Sequence, residues 1–285
     1  MNWERRSKLL FLTTASVATV IVMEMILYVC QSLYGRPLAY NLFQHCSSWL
    51  KSSGLGWMVP ALDLLVVSTL VLAFWHIMQQ LYRSLRAHRK LSRLVHKELT
   101  ASLNETFCGG RREVLVVEHR DTAALTMGLI RPKIMLSTGL LDILHDDELA
   151  AVIRHEIFHK QSRDPLKTAF MHVCSAVLWY IPILRWCCTQ YQMAREVLAD
   201  AYAIRSTGSP TSLGSALVKL IKHNQIRKYS FTYASFAETS INYRLQQLLE
   251  PETKLVFKLP VKRVVVSLHM AVSVTVMLFA ELLLA

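Results

Sequence analysis

Residues 155–159 read His-Glu-Ile-Phe-His, and this spacing is the sharpest chemical signal in the chain. Four residues along an α-helix bring two side chains to one face about 6 Å apart, so His155 and His159 can share one zinc ion. Glu156 beside them is placed to take a proton from a water that the metal acidifies. In a chain with 11 His, chance supplies roughly 0.02 such motifs, which makes a solvated pair of surface histidines the weaker explanation. A hydrolytic zinc takes a third protein ligand and keeps one position open. Arg195-Glu196-Val197-Leu198-Ala199-Asp200 puts two acids four apart on a helix expected over 190–204. Glu196 is the expected third ligand to one Zn2+ per chain, and Asp200 the expected acceptor for the outer N–H of a ligand imidazole.

Such residues need a frame. The helix of the first motif is expected to start near Asp146-Asp147-Glu148, acids that complement the positive end of a helix dipole. Upstream, residues 114–117 read as a strand and residues 133–136 as a second, after the turn at Arg131-Pro132. A basic helix is expected around 81–103.

The 285 residues are 53% hydrophobic and 18% charged, with a mean hydropathy of +0.30, which departs from soluble domains toward membrane embedding. Three runs reach the roughly 20 apolar residues that a bilayer crossing needs, at 9–30, 57–78 and 264–285. The net charge is +12, and its placement sets the expected topology, because Lys and Arg gather on the cytoplasmic side of spans. Arg5, Arg6 and Lys8 precede the first run, Arg83 to Lys97 follow the second, and Lys254 to Arg263 precede the third. The loop 31–56 holds only Arg36 and Lys51. The N-terminus and a catalytic domain at 83–263 are thus expected in the cytoplasm. The loop of the N-terminal pair of spans (1–82) and the end of the C-terminal span (264–285) are expected outside. The basic run 83–97 lacks interleaved aromatics, so the lipid bilayer is its expected partner and no nucleic acid is expected. Six scattered Cys without a CxxC pair indicate neither a thiolate zinc site nor a disulfide framework.

A fourth apolar stretch, 168–188, lies between His159 and Glu196, which must meet at one metal. It cannot cross once, and is expected to be a membrane-associated hairpin or bent helix broken at Pro182. Glu24, Asp63 and Glu281 fall toward the outer ends of their spans, where they can reach the interface, or contact one another or a partner's cation.

The series His155, Glu156, His159, Asp164, Glu196, Asp200 resembles that of a membrane gluzincin metallopeptidase. Residues 128–141, Gly-Leu-Ile-Arg-Pro-Lys-Ile-Met-Leu-Ser-Thr-Gly-Leu-Leu, are similar to the segment before the active-site helix in the BlaR/MecR-type family, the protease halves of β-lactam sensor-transducers. The HtpX/CAAX-prenyl-protease type, which shares both motifs, is next. The resemblance implies a mostly α membrane protein with a small β-sheet, in which transmembrane helices carry an inward-facing gluzincin-like zinc metallopeptidase domain. It implies a bacterial cytoplasmic membrane and a protein or peptide substrate, typically a transcriptional repressor. It also implies a supporting role for Asp164 beside Asp200, and a substrate held in extended form by the strand near 133–137. Asn242-Tyr243-Arg244-Leu245 resembles an arginine-bearing segment late in such proteases, although the histidine expected shortly before it is absent. Arg244, Tyr243, Tyr202 and Arg205 are the candidate substrate or oxyanion contacts. No outer penicillin-binding sensor is expected after Ala285, so a partner regulator or sensor, or the membrane itself, would supply any signal. A quality-control or processing protease of the HtpX/CAAX type and a catalytically inactive membrane scaffold are the alternatives.

Overall fold

The structure is a computed structural model that describes residues 3–35, 41–224, 243–247 and 260–269. In chain order its elements are α1 (Trp3–Tyr34), α2 (Leu42–Ser52), α3 (Val59–Ser92), α4 (Lys97–Cys108), β1 (Val114–Val117), β2 (Ala124–Met127), β3 (Lys133–Ser137), α5 (Thr138–Leu141), α6 (Asp146–Gln161), α7 (Asp164–Val177), α8 (Pro182–Thr207) and α9 (Pro210–Asn224). The mostly helical membrane architecture with a small sheet is the one the sequence implies. The chain divides into two compact units.

The first unit comprises Met1–Ser7, Leu81–Ala169 and Tyr191–Val256. Its sheet has the order β1-β3-β2, with β1 parallel and β2 antiparallel to β3. The β2–β3 connection turns at Gly128, at φ +103° with Arg131 O only 2.9 Å from where a Cβ would stand, so a side chain has neither the backbone angle nor the room. The strand expected around 133–136 is the middle one, bonded on both sides, while β2, which no sequence pattern announces, is the edge. The other edge, on β1, is closed by the chain itself. The helix expected over 81–103 breaks after Ser92, Val95 forms an antiparallel bridge with Val117, and His96 N–H donates to Val116 O at 2.9 Å. His96 then caps α4, its Nδ1 accepting from Leu99 N–H.

Helix α6 begins where its acids require. Glu148, at the third helical position, accepts from the His145 N–H at 2.9 Å, the reciprocal contact of a capping box. Leu149, Val152, Ile153 and Ile157 recur at helical spacing and pack on Val114, Ile134, Leu136 and Leu140, with Ala216 of α9 beside them. Each such side chain contributes about 1.5–3 kcal/mol on burial. Lys219 and Ser215 of α9 bond Glu148, the ammonium at 2.7 Å, which fixes α9 to the start of α6. Past the end of α6, Arg163 adopts φ +53°, a left-handed conformation that disfavours a side chain by about 1–2 kcal/mol. That reversal starts α7 at Asp164.

The second unit comprises Lys8–Gln80, Phe170–Gln190 and Phe257–Ala285. Two helical stretches, Trp3–Tyr34 and Gly56–Ser92, are long and apolar enough to cross a membrane. Leu12, Val20 and Met23 of α1 and Leu64, Phe74 and Trp75 of α3 stand exposed, as lipid-facing residues do. The ends of α7 and α8 belong to this unit as two arms with Pro182 as the first residue of the second. At 14 residues, α7 is about 21 Å long, short of a bilayer core. Cys174, Val177, Leu178 and Leu184 from the arms pack with Ala18 of α1, and Ala73 of α3 lies against that cluster. The two acids described inside the spans do not pair. Asp63 accepts from Tyr28 O–H at 2.6 Å, and Glu24 accepts from Leu42 N–H at 3.0 Å, because polar neighbours on the helix ends reach them first. Glu281 and most of the expected third span lie outside the described residues.

Candidate metal centre and its family

Helix α6 places His155, Glu156 and His159 on the cavity side, and α8 places Glu196 against them. The two Nε2 atoms are 3.1 Å apart, and the Glu196 carboxylate straddles them, one oxygen 3.5 Å from His155 Nε2 and the other 3.5 Å from His159 Nε2. These three residues are the one group among the described residues whose ligand atoms could converge on a metal ion. A tetrahedral metal with ligands at about 2.0–2.1 Å sets neighbouring donors about 3.3 Å apart, so the spacing suits zinc.

The outward nitrogens support the same conclusion. His155 Nδ1 lies 2.9 Å from Asp200 Oδ1 and His159 Nδ1 lies 2.8 Å from Asp164 Oδ2. A carboxylate only accepts, so each Nδ1 carries a proton and each imidazole is held with Nε2 turned inward. Arg244 clamps the other side of Asp200, Nε and Nη2 donating at 2.7 and 2.6 Å, and its Nη1 reaches Glu196 Oε2 at 3.1 Å. Carboxylates outnumber guanidiniums two to one among Glu156, Asp164, Glu196, Asp200, Arg195 and Arg244, a balance that favours a dication.

The electrostatics follow from this crowding. Burial and the Arg244 guanidinium press His155 toward its neutral form, but contacts with Asp200 and Glu196 prevail and push its pKa up to about 9. Burial alone would raise Glu196 and Asp200; Arg244 and the histidines hold both carboxyls well below the usual range. The field that retains a proton on His155 is one in which a metal cation would also be stabilised.

Glu156, at the side of the cluster, is gripped by a residue of β2. Thr126 Oγ1 lies 2.7 Å from Glu156 Oε2 and 3.0 Å from its backbone oxygen. The groups open into a cavity of about 490 Å³, lined also by Ala124 and Leu125 of β2, Val152 of α6, and Leu213 and Leu217 of α9. It has a charged floor and an apolar wall.

Of the expected substrate or oxyanion contacts, Arg244 alone lines this cavity. Tyr202 packs on Phe158 with ring centres 5.7 Å apart, Arg205 bonds back to Ala201 O, and Tyr243 packs on Trp3. The reason is rotational: at 100° per residue, positions 202 and 205 fall nearly opposite the face that carries Glu196 and Asp200. Two further residues of the site carry no signal in the sequence. Thr126 sits in a strand too short to announce itself. Arg195, adjacent to the expected ligand, has its Nε 2.8 Å from Asp164 Oδ1.

Comparison with known proteins places the chain in a family. The family model described as BlaR1 peptidase M56 matches residues 48–248, well over half of the chain. The regulatory protein BlaR1 of Bacillus licheniformis is 23% identical over 120 residues, covering 42% of this chain and 20% of that protein. A protease HtpX homolog of Pyrococcus abyssi is 29% identical over 131 residues, covering 33% of this chain and 45% of the relative. Its counterpart from Pyrococcus furiosus is 30% identical over 120 residues, covering 30% and 42%. The chain thus spans less than half the length of these curated relatives. By the extent of the family match and the two exposed apolar helices, the chain belongs to the BlaR1 peptidase M56 family, a family of membrane metallopeptidases.

Proposed function

We propose that this protein is a zinc-dependent endopeptidase of the membrane, with one Zn2+ per chain held by His155, His159 and Glu196. The observation that carries the reading is the pairing of each Nδ1 with a buried carboxylate, which leaves two Nε2 atoms and the Glu196 carboxylate facing one another. When bound, zinc supplies a Lewis acid that acidifies water and polarises the scissile carbonyl. Glu156 takes the proton of the attacking water and returns it to the leaving amine. Asp200 and Asp164 keep the imidazoles oriented, and Arg244 fixes Asp200 and Glu196 while one face lines the cavity. Thr126 holds Glu156 toward the reacting centre.

The substrate strand belongs on β2, not on the strand at 133–137. A middle strand has no free backbone edge, whereas Ala124, Leu125 and Thr126 line the cavity from an edge strand, where an extended peptide can add. The basic ends of the spans support an N-terminus and active site in the cytoplasm, so the substrate is a cytosolic or membrane-associated protein. One relative is named a regulatory protein and two are named proteases. A transcriptional repressor is the substrate that the regulatory likeness favours.

The test is a substrate trap. In cells, Glu156→Gln keeps the ligands but lacks the base, so a protein should accumulate in full-length form and co-purify with this variant and not with wild type. Identical proteomes and co-purifying partners for the two would contradict the reading.

A further inference from the structure

We propose that Arg195 is a positioning residue of the metal centre, acting through Asp164 to keep His159 Nε2 turned toward the metal. The inference rests on the metal reading above. Asp164 is 5% exposed and uses its two oxygens in opposite directions. Oδ2 is 2.8 Å from His159 Nδ1, and Oδ1 is 2.8 Å from Arg195 Nε and 3.5 Å from the Tyr191 hydroxyl. A carboxylate this far from water needs a counter-charge, without which it would turn toward solvent and leave the imidazole unsupported. Arg195 is the cation at hand. It is itself 9% exposed, and its guanidinium carbon stands 4.5 Å from the centre of the Phe158 ring, which fixes it from the other face.

The site is then built twice on one plan. His155 is backed by Asp200 and Arg244, and His159 by Asp164 and Arg195. Helix α8 contributes a ligand at 196, one supporting carboxylate at 200 and one supporting guanidinium at 195, so both histidines are referred to the same helix. The two supports differ in kind. Arg244 makes aligned hydrogen bonds to Asp200, whereas the Arg195 Nε and Nη2 hydrogens find no aligned acceptor among the described residues. The hold of Arg195 on Asp164 is therefore one of charge and packing, and a lysine should largely replace it.

Zinc affinity of the full-length protein in detergent, measured by competition with a chromophoric chelator, tests this without reference to turnover. Supporting residues of metal ligands typically change affinity about 10–100-fold. Arg195→Met and Asp164→Asn should each weaken zinc by about tenfold or more, with Arg195→Lys within about threefold of wild type. In the Asp164→Asn background, Arg195→Met should add less than about threefold. Wild-type affinity in Arg195→Met, or the same loss with and without Asp164, would overturn the inference. Should Arg195→Met fail to fold, Arg195→Gln against Arg195→Lys decides, and equal affinity in those two overturns it. A folded wild type that binds no zinc would instead overturn the metal reading on which it rests.

Discussion

At the scale of single residues, the site depends on hydrogen bonds that aim groups, and each makes a measurable difference. Thr126 of β2 bonds Glu156 of α6, so Thr126→Val should lower kcat by about tenfold, the equivalent of one lost hydrogen bond to a charged group, and leave KM nearly unchanged. Thr126→Ser should restore most of it. Asp200→Asn loses the carboxylate that fixes the His155 tautomer and should weaken zinc by about 10–100-fold, read by chelator competition. The grouping of His155, Glu156 and His159 on α6 and of Glu196 and Asp200 on α8 was legible in the sequence because helical spacing sets each group toward one side of its helix. Thr126 was not, because its partner lies 30 residues away and only the sheet brings them together. Tyr202 and Arg205 were misplaced because nearness in sequence is not nearness around a helix.

At the scale of elements, the start of α6 is the joint that matters most, since it fixes the register of the helix carrying both histidines. Burial of Glu148 would raise its pKa, but Lys219, Ser215 and the His145 N–H bring it down to about 2, from an ordinary value of 4.5. A depressed carboxyl contributes stability above its unfolded pKa and loses it as pH falls through the folded one. This joint is therefore whole above about pH 4.5 and fails toward pH 2. Glu148→Gln should lower stability at neutral pH by about 1–3 kcal/mol. It should also flatten the acid limb of a denaturation curve between those values, and an unchanged limb would count against the joint. The acids at 146–148 announced this helix start. The edge strand β2 was silent because Ala-Leu-Thr-Met shows no clear alternation, and its identity as an edge depends on where β3 pairs. The break before α4 was equally silent, since only the presence of β1 gives Leu94–His96 something to bond.

At the scale of the whole molecule, the apolar and basic excesses separate into membrane helices and the residues beside their ends. In a cysteine-free background, a cysteine at Lys51 should react with a membrane-impermeant maleimide in intact cells, and cysteines at Arg111 or near Pro182 should react only after permeabilisation. Labelling at Arg111 from outside would invert the topology. The two spans were legible because twenty apolar residues have few other uses. The interruption between α7 and α8 before Pro182 was legible from the proline, and a metal shared by His159 and Glu196 is what argues against a single crossing between them. Casein cleavage by purified wild type and Glu156→Gln with matched zinc content decides whether Glu156 is the base beside a zinc held by α6 and α8. Wild type should cleave in a chelator-sensitive way and the variant should lose about 10²–10⁴-fold at equal zinc; equal cleavage by the two proteins would rule out Glu156 as the base.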